Sequence, residues 1–475
     1  MVKTLRKYSK GIRIAKNSLL ILLLCVLLFS FKKEEDTQIR ILFTGDILLS
    51  RNVAVEYTSG KNSPWEDLQT IFQSADLVVG NLEGAVGNHH SAINPLQPSP
   101  VFAIDSNHIP LLYEAGFHCL TLENNHSLDL GIDGKEKTIE TLRKNKLTPI
   151  TFDNSPCFIP IKDIVISIIA VNNVLSRDSS RQTIPSIELR QKIRLAKQLS
   201  NIVIVSIHWG SELLEWPNKE QRKIADWLTL NGVDIIIGMH PHVIQKPEII
   251  NGKPVFFSLG NHLFDQKYDM TKEGLVAEIV IKNGKYTCSA FKTQTKKNSF
   301  YPQYVENYDF QSSAVYNTNL LTVNDYVFRG KSLPENNMYF LQTSKENQFA
   351  WKSHQMPLIS ALSSKLDSNN EYLFTLEKHY SSIDKEITIR PYVYSVDSNG
   401  LLAKWRGSAL AWPLLDAEFS SVDSSILCGL HRGDSFLMLN PKDTTKRIAA
   451  YQWNGFGFSA LPDSLACKYC QERFE

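Results

Sequence analysis

A surplus of charge is what this sequence has least of. Its 51 Lys+Arg against 49 Asp+Glu leave only +2 across 475 residues. The balance is unevenly placed. Lys3, Arg6, Lys7, Lys10, Arg13 and Lys16 precede any acid, and Lys32 and Lys33 follow soon after. Without those eight, Glu34 to Glu475 holds 43 basic against 49 acidic residues, about −6. A body of that sign is a poor nucleic-acid binder, and no nucleic-acid partner is expected. A disulfide framework is also missing: the six cysteines outside the apolar N-terminal run show no such spacing. Cys467-Lys-Tyr-Cys470 lacks two further zinc ligands, which leaves a local disulfide or two free thiols. With 43% hydrophobic and 21% charged residues the chain is neither disordered nor fibrous, and its length allows two or three domains.

The apolar run Leu19 to Phe31, LLILLLCVLLFSF, is short for a span. As a helix it covers roughly 20 Å against a hydrocarbon core of about 30 Å. No small-x-small cleavage site follows it, and Cys25 lacks the small preceding residue of a lipoprotein site. Six cations before it favour an uncleaved signal anchor at residues 17–31, with residues 1–16 cytoplasmic. The expectation is a single-pass protein of the cell membrane whose bulk is extracytoplasmic.

Beyond a spacer at residues 32–38, short apolar runs alternate with helical spacing. Strands are predicted at Ile39–Thr44, Leu77–Gly80, Phe117–Leu122, Ile164–Val171, Ile202–Ile207, Asp234–Gly238 and Val255–Leu259. Several are continuously apolar, as strands buried on both faces are. Ile187–Leu199 and Lys219–Leu230 have helical periodicity, and Leu275–Ile281 with Tyr286–Phe291 reads as a hairpin across Asn283-Gly284. This βαβ pattern predicts an α/β domain at residues 39–300. Residues 301–475, richer in Tyr, Trp, Ser and Asn, form a β-rich accessory domain of unknown role. There Trp405-Arg-Gly407 and Trp453-Asn-Gly455 echo each other too few times to define a repeat.

The chemistry collects just past the strands. Gly45-Asp46, Asn81-Leu82-Glu83, Asn125-His126, His208 and His240-Pro241-His242 each follow a strand. In an open α/β sheet such ends share one edge, where ligands bind. Carboxylates, an Asn carbonyl and imidazoles are ligands for a divalent ion such as Mn²⁺, Fe or Zn²⁺. No thiolate joins them, which argues against a structural zinc knot. Taken singly, each is as well explained as a turn or a hydrogen-bonded loop residue; five strand ends together point to a metal site.

GDILLSR (45–51), NLEGAV (81–86), ENNHSLDLG (123–131), HWGSE (208–212), GMHPHVIQ (238–245) and SLGNHLFDQ (258–266) resemble, in order, the motifs of the CapA capsule-synthesis proteins, also called poly-γ-glutamate biosynthesis proteins. The resemblance covers about residues 39–292. That family is similar to calcineurin-like metallophosphoesterases, which implies a four-layer α/β sandwich holding one or two divalent metals. On that likeness Asp46 and His242 would hold a first metal, with Glu83 bridging. Asn125, His208 and His240 would hold the second. His126 matches the histidine that contacts a phosphate oxygen and assists the leaving group, and Asp129 would orient it. Arg51 and Gln245 could contact an anionic substrate, with a surface ion pair or a helix cap as the plainer reading.

Three departures stand out. Leu48 takes the place of the histidine in Asp-x-His, Glu83 replaces an aspartate, and Ser127 follows His126 where an acid is usual. Gly260-Asn261-His262 imitates a phosphoesterase motif in the wrong order, so His262 is expected to be a loop residue at the site rim. Trp209, Glu212 and Asp265 receive no firm role. The resemblance implies a protein that supports capsule or poly-γ-glutamate production beside a membrane-bound amide ligase, in contact with the anionic polymer. The rivals are a metal-dependent hydrolase of envelope polymers and a non-catalytic polymer-binding module.

Overall fold

A computed structural model describes residues 38–475 apart from 60–62, 88–99, 176–180, 334, 368–369, 382–384, 408–409, 411–412, 434–443, 471–473 and 475. The apolar run and its basic flank lie outside the described residues. Among those described, no helix is long and apolar enough to cross a membrane. The chain divides into Met1–Ile39 and Arg40–Glu475, and every side chain of the candidate site belongs to the second unit.

The fold is mixed α/β, built on two sheets. The first orders its strands 302–315, 285–295, 273–282, 39–47, 77–82, 119–121 and 148–150, with Asn261–Leu263 also pairing beside 39–47. The second runs 248–250, 253–256, 235–239, 202–208, 164–172 and 157–161. In the first sheet the pairs from 39–47 to the 148–150 edge are parallel and the hairpin pairs of 273–315 antiparallel; in the second the central pairs are parallel and both outer pairs antiparallel.

Strand alternation sorts the side chains between layers. On Ile202–His208, Val203, Val205 and Ile207 pack with Leu189, Ile193, Ile224 and Leu228 of two helices. Ile204, Ser206 and His208 therefore face away from those helices. On Leu77–Leu82, Val78 and Leu82 pack with Leu111, Leu112 and Leu142, again helical residues. Val79 and Asn81 point the other way. The two inner faces meet: the Tyr286 hydroxyl donates to the Asp234 carbonyl at 3.3 Å, and the Phe256 and Phe310 rings lie 5.2 Å apart. These contacts stack the chain as helices, sheet, sheet, helices. The single edge expected from the strand ends is thus two edges: Asp46, Glu83 and Asn125 lie at strand ends of the first sheet, His208 and His240 at strand ends of the second.

Helices Ile187–Leu199 and Lys219–Leu230 begin where their caps dictate. The Ser186 side chain accepts from Leu189 N–H, and Asn218 with Gln221 forms a reciprocal capping box. The first sheet runs past residue 300, because Pro302–Val315 pairs along the whole of Lys285–Thr295. Its Glu306, Asp309, Gln311 and Ser313 face solvent, as suits an edge strand, and that polarity mimics the start of a new region.

The remainder is three antiparallel four-stranded sheets in succession, at 322–352, 358–406 and 414–460, followed by helix Asp463–Cys470. Phe158, Val165, Leu195 and Leu199 of the α/β part share a core with Phe328, Leu341, Leu358 and Tyr394. Arg194 adds a buried ion cluster, pairing with Asp416 at 2.7 Å and with Glu418. Trp405 and Trp453 meet over Phe458 in one aromatic cluster. The C-terminal cysteines pair otherwise than their spacing suggests. Cys470 is disulfide-bonded to Cys428, and Cys467 is free and exposed. On the helix, Cys470 shares the inward face with Ala466, four residues back, whereas Cys467 turns outward.

Candidate metal centre

Asp46 lies in a β-bulge: the pairing with Leu77–Leu82 shifts register between Phe43 and Asp46. The chain before it touches another loop, since a Cβ on Gly45 would stand 1.9 Å from the Gly260 carbonyl oxygen. Only glycine permits that approach. Asp46 N–H donates to the same carbonyl at 3.1 Å, which fixes the carboxylate over the seam between the sheets.

Around it converge the other candidates. His208 lies on the facing sheet, with Nδ1 3.9 Å from Asp46 Oδ1 and Nε2 3.3 Å from Glu83 Oε1. His208 Nε2 is also 2.9 Å from Asn125 Oδ1. His242 Nδ1 stands 3.3 Å from Asp46 Oδ2 and 2.9 Å from Asn261 Oδ1. His240 gives its backbone N–H to Asp46 Oδ2 at 3.2 Å. The structure thus brings together all six residues taken as metal ligands. Asp46, Glu83, His208, His240 and His242 are all buried.

His240 and His242 have φ of 98° and 57°, both in the left-handed region that side chains rarely adopt. Such positions persist only when surrounding structure holds them. Here Trp209 N–H donates to Met239 O and Leu213 N–H to Pro241 O, lacing the two loops together.

Polar bookkeeping reveals what the cluster lacks. Both carboxylate oxygens of Glu83 and Nδ1 of His240 are buried without a hydrogen-bond partner among the described residues. Leaving such groups unpaired is costly. Burial, and after it the Asp46 carboxylate, pushes the Glu83 carboxyl well above its ordinary range. Burial, then the neighbouring imidazoles, holds His208 well below its ordinary value, and burial with His242 takes His240 down to about 3. A divalent cation would reverse the first tendency and suit the others, keeping the carboxylates ionised and the imidazoles neutral. The donors form two groups, Asp46–Glu83–His208 and Glu212–His240–His242, within each of which the ligand atoms lie within 4.8 Å of one another. The donor types suit a divalent ion, but the grouping differs from the one the resemblance implies: His208 stands with Asp46 and Glu83, and His242 with His240.

His126 sits beside this cluster, its Nδ1 2.9 Å from Asp129 Oδ2. Its ring stacks on Phe102 at 3.8 Å, and the Arg51 guanidinium lies over that same phenyl ring at 5.4 Å. Arg51 pairs at 3.2 Å with buried Asp265, leaving its own side chain 40% exposed. Leu48, Phe102 and Phe264 form an apolar cluster, and the Phe264 ring lies 4.8 Å from that of His242.

Two expectations fail here. Gln245 faces no open space: its Oε1 accepts from Gln221 at 2.9 Å and its Nε2 donates to Leu214 O at 2.7 Å. Both ends of the amide are spent on holding the Trp209–Leu214 loop. His262 lies away from any rim, buried against Phe72 and Phe117, with Nε2 accepting from Trp65 Nε1 at 3.0 Å. Trp209 is also structural, its indole N–H donating to Phe257 O at 2.8 Å. Conversely, Asn81 has a role that its place in Asn81-Leu82-Glu83 alone does not assign. Its Nδ2 donates to Asp46 Oδ1 at 2.9 Å, while its Oδ1 accepts from Thr121 at 3.1 Å and Asn124 at 3.3 Å. The signal was present, two residues before Glu83 on the same strand end.

Residues 40–266 match the family profile described as "Bacterial capsule synthesis protein PGA_cap". The chain is 28% identical over 268 residues to the "PGA biosynthesis protein CapA" of Bacillus subtilis (strain 168), covering 53% of this chain and 70% of that one. It is 26% identical over 278 residues to the "Capsule biosynthesis protein CapA" of Bacillus anthracis, covering 53% of this chain and 66% of the relative. A solved structure of Vps29 from Chaetomium thermophilum aligns with TM-score 0.27 and 8% identity, over 59% of this chain and 96% of its own. The matched stretch holds every candidate ligand from Asp46 to His242, and over that stretch the chain is similar to the bacterial capsule synthesis proteins.

Proposed function

We propose that this protein is a membrane-anchored, extracytoplasmic component of capsule or poly-γ-glutamate synthesis, built around a divalent-metal centre in a calcineurin-like α/β sandwich. One observation carries the metal reading: Glu83 is fully buried with neither carboxylate oxygen hydrogen-bonded among the described residues, beside a second carboxylate and three imidazoles, of which His208 lies 3.3 Å away. Asp46, Glu83, Asn125, His208, His240 and His242 would hold Mn²⁺, Fe or Zn²⁺. Once bound, such an ion supplies Lewis acidity toward an oxyanion. The chain's own groups do the rest. Asp129 accepts from His126 Nδ1, which leaves Nε2 free to exchange a proton with a substrate oxygen. Arg51 offers positive charge to an anionic polymer. The Cys428–Cys470 disulfide accords with an oxidising, extracytoplasmic setting, and the Leu19 to Phe31 run with an anchor. The working partners are then the polymer and a membrane-bound amide ligase.

A second reading, a metal-dependent phosphoesterase or other hydrolase of envelope polymers, is favoured by the His126–Asp129 pair standing beside the centre. Metal analysis of the full-length chain loaded with Mn²⁺ or Zn²⁺, beside cell-surface polymer in a strain carrying His208→Ala, separates these. Bound metal with polymer lost in the variant supports the first reading. Phosphodiester turnover that vanishes in His126→Ala supports the second. A chain that takes up no metal is a polymer-binding module.

A further inference from the structure

We infer that Glu212 is a metal ligand of this centre, standing with His240 and His242 and supplying the donor that Leu48 withholds. The inference rests on the metal reading above and adds to it a residue outside the inherited ligand set.

Three independent observations place Glu212 in that role. Its carboxylate and one nitrogen each of His240 and His242 lie within 4.8 Å of one another, so a single ion can reach all three. Two imidazoles with one carboxylate are an established donor set for a divalent transition metal. His240 Nδ1 is buried without a hydrogen-bond partner among the described residues, as suits a donor atom for a metal. Glu212 itself is exposed, and no hydrogen bond or ion pair engages its carboxylate among the described residues.

The loop that carries Glu212 is held in place from both sides. Trp209 N–H and Leu213 N–H donate to the carbonyls of Met239 and Pro241, which flank His240. Gln245 grips Leu214 O, and Gly210, at φ 88°, packs against the Gln221 amide. A side chain in so fixed a loop is aimed by its backbone. Leu48, where the likeness to phosphoesterases calls for histidine, is sealed against Phe102 and Phe264. The Phe264 ring in turn flanks His242, so that side of the imidazole pair is apolar and closed. Glu212 is the exposed member of the donor set, hence the ligand that can exchange with an incoming polymer oxygen.

The test is equilibrium dialysis of the full-length chain against Mn²⁺ alone and Zn²⁺ alone, followed by metal analysis. The variants are Glu212→Gln, Glu212→Asp and, as a control, the nearby exposed Glu215→Gln. Removing a direct ligand should weaken one equivalent by at least about tenfold, the lower end of what even outer-shell partners cost. Glu212→Asp should recover part of the loss and Glu215→Gln should match wild type. Thermal unfolding in chelator should be the same for all four, which separates ligand loss from misfolding. Equal binding by wild type and Glu212→Gln overturns the inference and leaves the metal reading standing. Equal losses in Glu212→Gln and Glu215→Gln also overturn it, since surface charge would then be the cause. A wild-type chain that binds neither ion removes the metal reading itself.

Discussion

The α/β region and the C-terminal sheets both bury ionisable groups, but they treat them in opposite ways. In the C-terminal sheets the buried Glu377 and His431 are satisfied within their own neighbourhood, although the Nε of half-buried Arg329 has no hydrogen-bond partner among the described residues. Glu377, almost fully buried, accepts from Thr375 at 2.8 Å and Tyr394 at 3.0 Å, with His379 at 2.8 Å. His431 has the Tyr451 hydroxyl at 2.8 Å. In the α/β region Glu83 has two orphaned oxygens and His240 an orphaned nitrogen. Burial alone therefore does not identify a ligand site; burial with bonding capacity left over does.

The comparison breaks most decisively at the metal. His208→Ala or His240→Ala should each remove at least one equivalent of bound ion, whereas His431→Gln should leave metal content at the wild-type level. Metal analysis after dialysis reads both, and metal loss in His431→Gln would erase the distinction. Next in size is the seam between the two regions. Arg194→Ala strands buried Asp416 beside Glu418 and should cost about 3–5 kcal/mol in chemical denaturation, the usual penalty for breaking a buried ion pair. A change within measurement error would mean the regions lean on their shared apolar core alone. Cys470→Ser should cost the C-terminal sheets about 2–4 kcal/mol. Metal content should be untouched, and a thiol count on the unfolded protein should show one more free cysteine, Cys428, which is buried in the fold.

A further effect shows only in acid. Burial pushes His262 down to about 3 from an ordinary 6.5. The unfolded chain therefore binds the extra proton between those values, and stability drains away as pH falls through that window, by about 1.4 kcal/mol per unit. His262→Phe should lessen this dependence in a pH series of urea melts, at unchanged metal content, the remainder belonging to His208 and His240. An unaltered slope would show that His262 is not the group responsible.

Much of this could be read from the chain. Helices Ile187–Leu199 and Lys219–Leu230 were legible because apolar spacing and capping residues agree at their ends. The ligands were legible because Asp, Glu, Asn and His each follow a strand. What stayed hidden depends on distance between elements. That Asp46 and His208 belong to different sheets is a tertiary fact, as is the pairing of Cys470 with Cys428. Gln245 and Asn81 carry the same amide, yet one holds a loop and the other a ligand. Only their neighbours tell which. His262 misled because its motif suggests a site while its surroundings are Trp65, Phe72 and Phe117.

The left-handed backbone at His240 makes alanine and glycine unequal erasers of the same imidazole. Alanine deletes the donor but keeps the Cβ that makes such a φ unfavourable, by roughly 1 kcal/mol or more. Glycine deletes the donor and lets the backbone rest where it already is. Metal content should fall alike in His240→Ala and His240→Gly, while the metal-free glycine protein should melt at the higher temperature of the two. The difference between those melting points weighs the cost of posture apart from the worth of the ligand, at a position where an ordinary alanine scan leaves that cost in place and unseen.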